Sequence, residues 1–155
     1  CGRGQVRLEV IESYDGRIRI WPRAFTPAEC DALVARFEWG KHGVVHNPEL
    51  AVELGAMCAA RMDFPVRWVP HVTFSCEFVP WHTDRSIEGE THKACLYLDA
   101  DGIGTEFAVG GESVYVPVRQ GTLVLFDIAL EHRTGPGAGR RHVLGLRACI
   151  DPPWP

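Results

Sequence analysis

The chain has no CxxC pair, no block of lysine and arginine long enough to follow a phosphate backbone, and no apolar run near the roughly 20 residues that span a bilayer. Each absence excludes a class. Without a CxxC pair, a zinc or disulfide role for the cysteines is disfavoured. A net charge of -4 and scattered basic residues make nucleic acid a poor fit as a partner. With no apolar span, and no hydrophobic signal core after Cys1-Gly2-Arg3-Gly4, the expected setting is the cytoplasm rather than a membrane. The six cysteines do not form a disulfide pattern either. Cys30 and Cys58 fall in helix-like segments, and Cys76, Cys95 and Cys149 in strand-like ones among apolar neighbours, which reads as free thiols of a reduced compartment.

What is present is enough for one core. With 155 residues, 46% hydrophobic and 23% charged, the chain is expected to form a single domain over 1–155. Segments 6–11 and 17–21 alternate apolar and polar residues around Tyr14-Asp15-Gly16, the pattern of a hairpin. The period then changes. Thr26-Pro27-Ala28-Glu29 is a capping box with proline at the first helical position, and Cys30, Leu33, Val34 and Phe37 follow at helical spacing to an end near Gly40. Asn47-Pro48 repeats the start signal, and Leu50, Leu54, Met57 and Cys58 form a second stripe that fades by Met62. Beyond it the expected strands are 68–78, 93–98, 104–108, 113–118, 122–126 and 141–150, punctuated by glycines. Two helices followed by short antiparallel strands predict an α+β, mainly β fold: a jelly-roll or double-stranded β-helix, cupin-like, with both N-terminal helices packed on one sheet.

The chemistry concentrates in His82-Thr83-Asp84 and His132. Residues i and i+2 of an extended segment point to one face, so an imidazole and a carboxylate there can grip one metal ion. A second imidazole brought in by folding completes a facial triad of two histidines and one carboxylate. That set leaves three adjacent positions open, the arrangement of non-haem Fe(II) sites that use dioxygen. An HxD tripeptide alone is weak, and its ordinary reading is a polar strand end after Pro80-Trp81. His132 strengthens it, because it follows the apolar run 122–126 and precedes Gly135-Pro136-Gly137, which turns the chain into the last strand.

On that last strand Arg141, Val143, Gly145, Arg147 and Cys149 share a face, and His142, Leu144, Leu146, Ala148 and Ile150 share the other. A buried arginine needs an anion. A dicarboxylate co-substrate supplies one, held through two parallel hydrogen bonds; an internal salt bridge is the alternative for each arginine.

As an ordered set these residues resemble the 2-oxoglutarate and Fe(II)-dependent dioxygenases, and within them the prolyl-hydroxylase-like branch. The resemblance covers about residues 18–150 and includes the lead-in strand and first helix at 18–30. It implies that His82, Asp84 and His132 bind iron and that Arg141, nine positions after His132, binds the far carboxylate of 2-oxoglutarate. Cys95-Leu96-Tyr97-Leu98-Asp99 is similar to the family's tyrosine-leucine-asparagine strand, which implies that the Tyr97 hydroxyl assists that carboxylate. Gly104-Thr105-Glu106-Phe107 resembles the glycine-rich strand start, and the segment 116–126 the proline-glycine turn before the distal histidine. Two departures stand out: Asp99 replaces the usual asparagine, and the stretch before His82 has Ser75 and its neighbours where a tyrosine is often found.

The resemblance implies an enzyme that uses Fe(II), 2-oxoglutarate and O2 to hydroxylate an aliphatic C–H bond, releasing succinate and CO2. Asp84 keeps the carboxylate ligand, so no metal position is vacated for chloride and hydroxylation is favoured over halogenation. The expected substrate is an amino acid, a peptidyl side chain (proline above all) or a small metabolite. The competing expectations are a cupin-like barrel that only binds a ligand, which has no need of Arg141, and an AlkB-like nucleobase demethylase. The latter shares the spacing of Arg141 and Arg147 but not the polar residues between them, since Val143 and Gly145 stand there.

Overall fold

The computed structural model describes residues 11–13, 16–39, 44–62, 66–76, 78–100, 102–137 and 141–151. The first expected strand lies outside these residues except for Ile11, as do Tyr14 and Asp15 of its turn and Gly40 at the expected helix end. A short strand β1 (Ile11–Ser13) pairs antiparallel with β2 (Ile18–Trp21).

Helix α1 (Pro27–Arg36) starts where the capping box places it. The Thr26 hydroxyl accepts from Glu29 N at 3.2 Å, and the Glu29 carboxylate accepts from Thr26 N at 3.0 Å, satisfying two of the amides that a helix start leaves without partners. After β3 (Val44–His46), Asn47 caps α2 (Pro48–Ala59) by accepting from Leu50 N at 3.1 Å. Arg61, just past α2, reaches Glu29 at 2.6 Å and ties the two helix ends together. Both helices bury one stripe, Cys30 and Leu33 from α1 and Ala51, Leu54 and Cys58 from α2. Each large apolar side chain so buried contributes about 1.5–3 kcal/mol.

The remaining strands are β4 (Arg67–Ser75), β5 (His92–Tyr97), β6 (Thr105–Val109), β7 (Glu112–Val116), β8 (Leu123–Asp127), β9 (His132–Thr134) and β10 (Val143–Cys149). They form two antiparallel sheets, ordered β1-β2-β8-β5-β10-β4-β3 and β7-β6-β9. The period of two divides the large sheet cleanly. Its outer face carries Val72, Ala94, Leu96, Leu123, Leu125, Leu144 and Leu146 into a core with both helices. Its inner face carries Ile18, Cys95, Tyr97, Val124, Phe126 and Val143 against Phe107 and Val116 of the small sheet. The fold is therefore the expected jelly roll with helices on one sheet.

Several boundaries differ from expectation. β4 stops at Ser75, where its pairing with β10 ends at Val143, so Cys76 and Phe78 lie beyond the strand. The edge strand β3 and the three-residue β9 were not expected, because segments this short carry no readable alternation. Among the described residues, the cysteines at 30, 58, 95 and 149 are free thiols. Among the described residues no helix is long and apolar enough to cross a membrane.

Candidate metal centre

Folding brings the two histidines together through the backbone. His82 and His132 form an antiparallel bridge, His82 N donating to His132 O at 3.0 Å and His132 N to His82 O at 2.9 Å. Thr134 N donates to Val79 O at 3.0 Å and extends the same contact, so residues 79–82 run along β9. Of His82-Thr83-Asp84, His82 alone takes part in this bridge.

The imidazoles are oriented alike. His82 Nδ1 donates to the carbonyl of Pro80 at 2.7 Å and His132 Nδ1 to that of Leu130 at 2.9 Å, in each case two residues back. A proton held on Nδ1 leaves the lone pair on Nε2, the state a metal ligand needs. The Nε2 atoms lie 3.7 Å (His82) and 3.5 Å (His132) from the Asp84 carboxylate, and one ligand atom from each of the three residues falls within 4.8 Å of the others. Asp84 Oδ2 is buried and accepts no hydrogen bond. Two imidazole nitrogens and a carboxylate oxygen that converge in this way fit an Fe(II) ion, by donor type and by the open positions they leave.

The electrostatics agree with that state. Burial pushes the His132 imidazole down to about 4, further than Asp84 raises it, so it is neutral around pH 7. Burial alone would push the Asp84 carboxyl up, but Lys93 first, then His132, His82 and Arg147, hold it below the ordinary value of 3.8. Asp84 is thus ionised and His132 unprotonated before any metal binds.

A small cavity of about 40 Å³, partly open to solvent, runs from this cluster over the inner face of the large sheet. Its lining includes His82, His132, Lys93, Ser75, Gly145 and Arg141. Arg141 lies near the Tyr97 end of β5: its Nη1 donates to the carbonyls of Ile103 at 2.6 Å and Gly104 at 3.2 Å, and its buried Nε has no hydrogen-bond partner. The guanidinium sits 5.6 Å from the centre of the Tyr97 ring. The Tyr97 hydroxyl itself is hydrogen-bonded to Thr105 Oγ1, and Tyr97 is fully buried behind the cavity wall that Thr105 supplies.

Arg147 takes the other course open to a buried arginine. It pairs with Glu90 at 2.6 Å, both side chains almost wholly buried, and also donates to the carbonyl of Arg85. Arg147 is not among the residues that line the cavity. The Arg141/Arg147 spacing shared with the AlkB-like proteins therefore does not deliver two arginines to one ligand here. Asp99, the departure from asparagine, accepts from the backbone N–H of His142 and contacts its Nδ1 at 2.9 Å, on the side away from the cavity.

Lys93 and Glu90 were missed by the sequence reading. The signal for Lys93 was available: Lys93, Cys95 and Tyr97 occupy alternate positions of β5 and therefore share its inner face.

No protein-family model and no curated protein matches the chain. Solved structures do. A 2OG-Fe(II) oxygenase family oxidoreductase from Burkholderia pseudomallei superposes with a TM-score of 0.64 at 16% identity, over 86% of this chain and 84% of that one. A prolyl 4-hydroxylase structure from Phytophthora capsici gives 0.61 at 16% identity over 88% of this chain, which spans 59% of that protein's length. HygX from Streptomyces hygroscopicus, solved with nickel and 2-oxoglutarate bound, gives 0.58 at 14% identity, over 86% of this chain and 82% of that one. The resemblance read from the sequence holds at the level of the fold.

Proposed function

We propose that this chain is an Fe(II)- and 2-oxoglutarate-dependent oxygenase that hydroxylates an aliphatic C–H bond. The observation that carries the reading is the placement of two chemically different ends on one cavity. At one end the Nε2 atoms of His82 and His132 converge with Asp84, and at the other Arg141 faces the cavity without a carboxylate partner among the described residues. The fold that holds them is shared with proteins described as 2OG-Fe(II) oxygenases. A barrel that only binds a ligand explains the fold but not an arginine set opposite a convergent triad.

In this reading His82, Asp84 and His132 hold the metal and Arg141 holds the far carboxylate of 2-oxoglutarate. Fe(II) with 2-oxoglutarate and O2 supplies the oxidising power, and succinate, CO2 and an alcohol are the products. The chain's part is geometric and electrostatic. The carbonyls of Pro80 and Leu130 keep the imidazole protons on Nδ1, Phe107 and Phe126 pack against the His132 ring, and Arg141 fixes the length and direction of the co-substrate. Because Asp84 remains a carboxylate, the product is an alcohol rather than a halide.

For the prime substrate we favour an amino acid, a peptidyl side chain such as proline, or a small metabolite. The cavity opens beside a groove formed by Phe78, Val79, Pro80, Arg133, Thr134 and Pro136, and Phe78 is half exposed there. The test is succinate release from 2-oxoglutarate across a panel of amino acids, prolyl peptides and metabolites, with Fe(II) present or chelated. Substrate-stimulated, Fe(II)-dependent succinate with a matching hydroxylated product supports the reading. No succinate under any condition refutes it.

A further inference from the structure

Among the described residues the cavity lining contains no aspartate or glutamate, yet three cations face it: Lys93, Arg133 and Arg141. Arg133 is neutralised at the rim by Glu106 at 2.7 Å. Arg141 donates to the carbonyls of Ile103 and Gly104 and lies over the Tyr97 ring, with no carboxylate partner among the described residues. Lys93 is 4% exposed, and its carboxylate partner among the described residues is Asp84, with Nζ 3.4 Å from Oδ2. Glu90 does not serve it, because Arg147, directly across from Lys93 on β10, holds that carboxylate.

The Lys93–Asp84 pair cannot persist unchanged in a loaded site. A divalent cation that draws on Asp84 competes for the same oxygen and places two positive charges beside the ammonium. A buried ammonium that loses its anion is strongly disfavoured unless another anion takes its place. Since the lining offers none, the replacement comes from the ligand.

The position of Lys93 says which part of the ligand. Lys93, Cys95 and Tyr97 succeed one another along the inner face of β5, with Lys93 at the Asp84 end and Tyr97 under Arg141. The backbone keeps this arrangement open. A Cβ at Gly145 would come 3.0 Å from Lys93 Cε and 3.2 Å from Thr73 Cβ, so glycine there lets the lysine stem lie flat on the sheet.

We infer that Lys93 is a second anion-binding residue of the cavity, holding the carboxylate adjacent to the 2-oxo group while Arg141 holds the far one. This rests on the functional reading above and adds a residue to it. A linear 2-oxo dicarboxylic acid then meets a cation at each end. The same lysine opposes metal binding when the co-substrate is absent and favours the ternary complex when it is present, so it couples the two ligands.

The test uses the full chain under anaerobic conditions, titrated first with Fe(II) and then with three acids: 2-oxoglutarate, 2-oxovalerate, which lacks the far carboxylate, and levulinate, which lacks the near one. Lys93→Met is expected to bind Fe(II) alone more tightly than wild type, and to bind 2-oxoglutarate and 2-oxovalerate about tenfold or more weakly, with levulinate unchanged. Arg141→Met is expected to weaken 2-oxoglutarate and levulinate and to leave 2-oxovalerate unchanged. Tighter Fe(II) binding also shows that the variant is folded; Lys93→Gln, which keeps a polar head, should give the same pattern. If wild type binds Fe(II) and 2-oxoglutarate but Lys93→Met leaves all three acids unchanged, or weakens levulinate as much as 2-oxovalerate, the inference is overturned. Loss of Fe(II) together with all three acids in both lysine variants marks a merely structural lysine and overturns it as well. Wild type that binds neither Fe(II) nor 2-oxoglutarate overturns the functional reading itself.

Discussion

Replacing Glu90 with glutamine removes one charge from the most deeply buried ion pair described in the protein, and the cost follows from its surroundings. The Glu90 carboxylate accepts from Ile87 N at 2.9 Å, Glu88 N at 2.8 Å and Arg147 Nη1 at 2.6 Å, and Arg147 also holds the carbonyl of Arg85, the residue after Asp84. The pair therefore staples the loop that carries Asp84 onto β10. Two routes give a similar magnitude. Removing one partner of a buried pair costs about 3–5 kcal/mol, because the other charge is left uncompensated. Independently, burial pushes the Glu90 carboxyl up, but the N–H groups of Glu88 and Ile87, its own N–H and Arg147 bring it from 4.5 to about 2. A displacement of that size corresponds to about 3 kcal/mol at neutral pH. Glu90→Gln should lose about 3 kcal/mol in urea unfolding at pH 7. Combining Glu90→Met with Arg147→Met should cost less than Glu90→Met alone, since no orphan charge remains. A Glu90→Gln protein within 1 kcal/mol of wild type would refute this account of the loop.

The remaining predictions concern the site and its protonation. His82→Ala and His132→Ala should abolish Fe(II) retention while the circular dichroism of the barrel persists, because ligands at a strand end contribute little to the core; a variant that retains a full equivalent of iron is not missing a ligand. Arg141→Ala should weaken 2-oxoglutarate binding by about 2–4 kcal/mol, the scale for stripping a desolvated carboxylate of its charged partner. Arg147→Ala should alter stability more than 2-oxoglutarate affinity, and calorimetry on both variants checks the order. Tyr97→Phe should cost about 1 kcal/mol in unfolding by leaving Thr105 Oγ1 without its hydroxyl partner. Metal-free protein should lose stability as pH falls from 6.5 to 4. Burial holds His132 and His92 at about 4 against an ordinary 6.5, so in that window the unfolded chain takes up protons that the folded chain refuses. Urea midpoints that stay level or rise across it would contradict this.

How much of this was legible before folding differs element by element. Helix α1 was readable because its start is local chemistry: Thr26, Pro27 and Glu29 satisfy one another within four residues. The same holds for Asn47 and α2, and for the strands whose alternation runs five residues or more. β9 was not readable, because His132–Thr134 gains its strand character only by pairing with β6 and with the 79–82 segment. The three candidate metal ligands are brought together as expected, and the backbone bridge that sets His132 beside His82 was not readable, because it forms between segments distant in sequence. For the two arginines the sequence offered the same two options, ligand or salt bridge. Only the register, which sets Arg147 beside Lys93 and beneath the Glu90 loop, separates them. Lys93 was overlooked because a single lysine at the edge of an apolar run usually marks where a strand meets water, and its burial depends on neighbours distant in sequence.

The most direct measurement of the central claim is an anaerobic titration of the metal-free chain with Fe(II) and then 2-oxoglutarate, followed by visible absorption and repeated on Asp84→Ala. One equivalent of Fe(II), followed by a weak visible charge-transfer band that saturates with 2-oxoglutarate in wild type and is absent in Asp84→Ala, is the predicted result. A wild-type chain that takes up Fe(II) without developing the band, or an Asp84→Ala chain that develops it fully, would contradict the assignment of His82, Asp84 and His132 as a metal centre that receives 2-oxoglutarate.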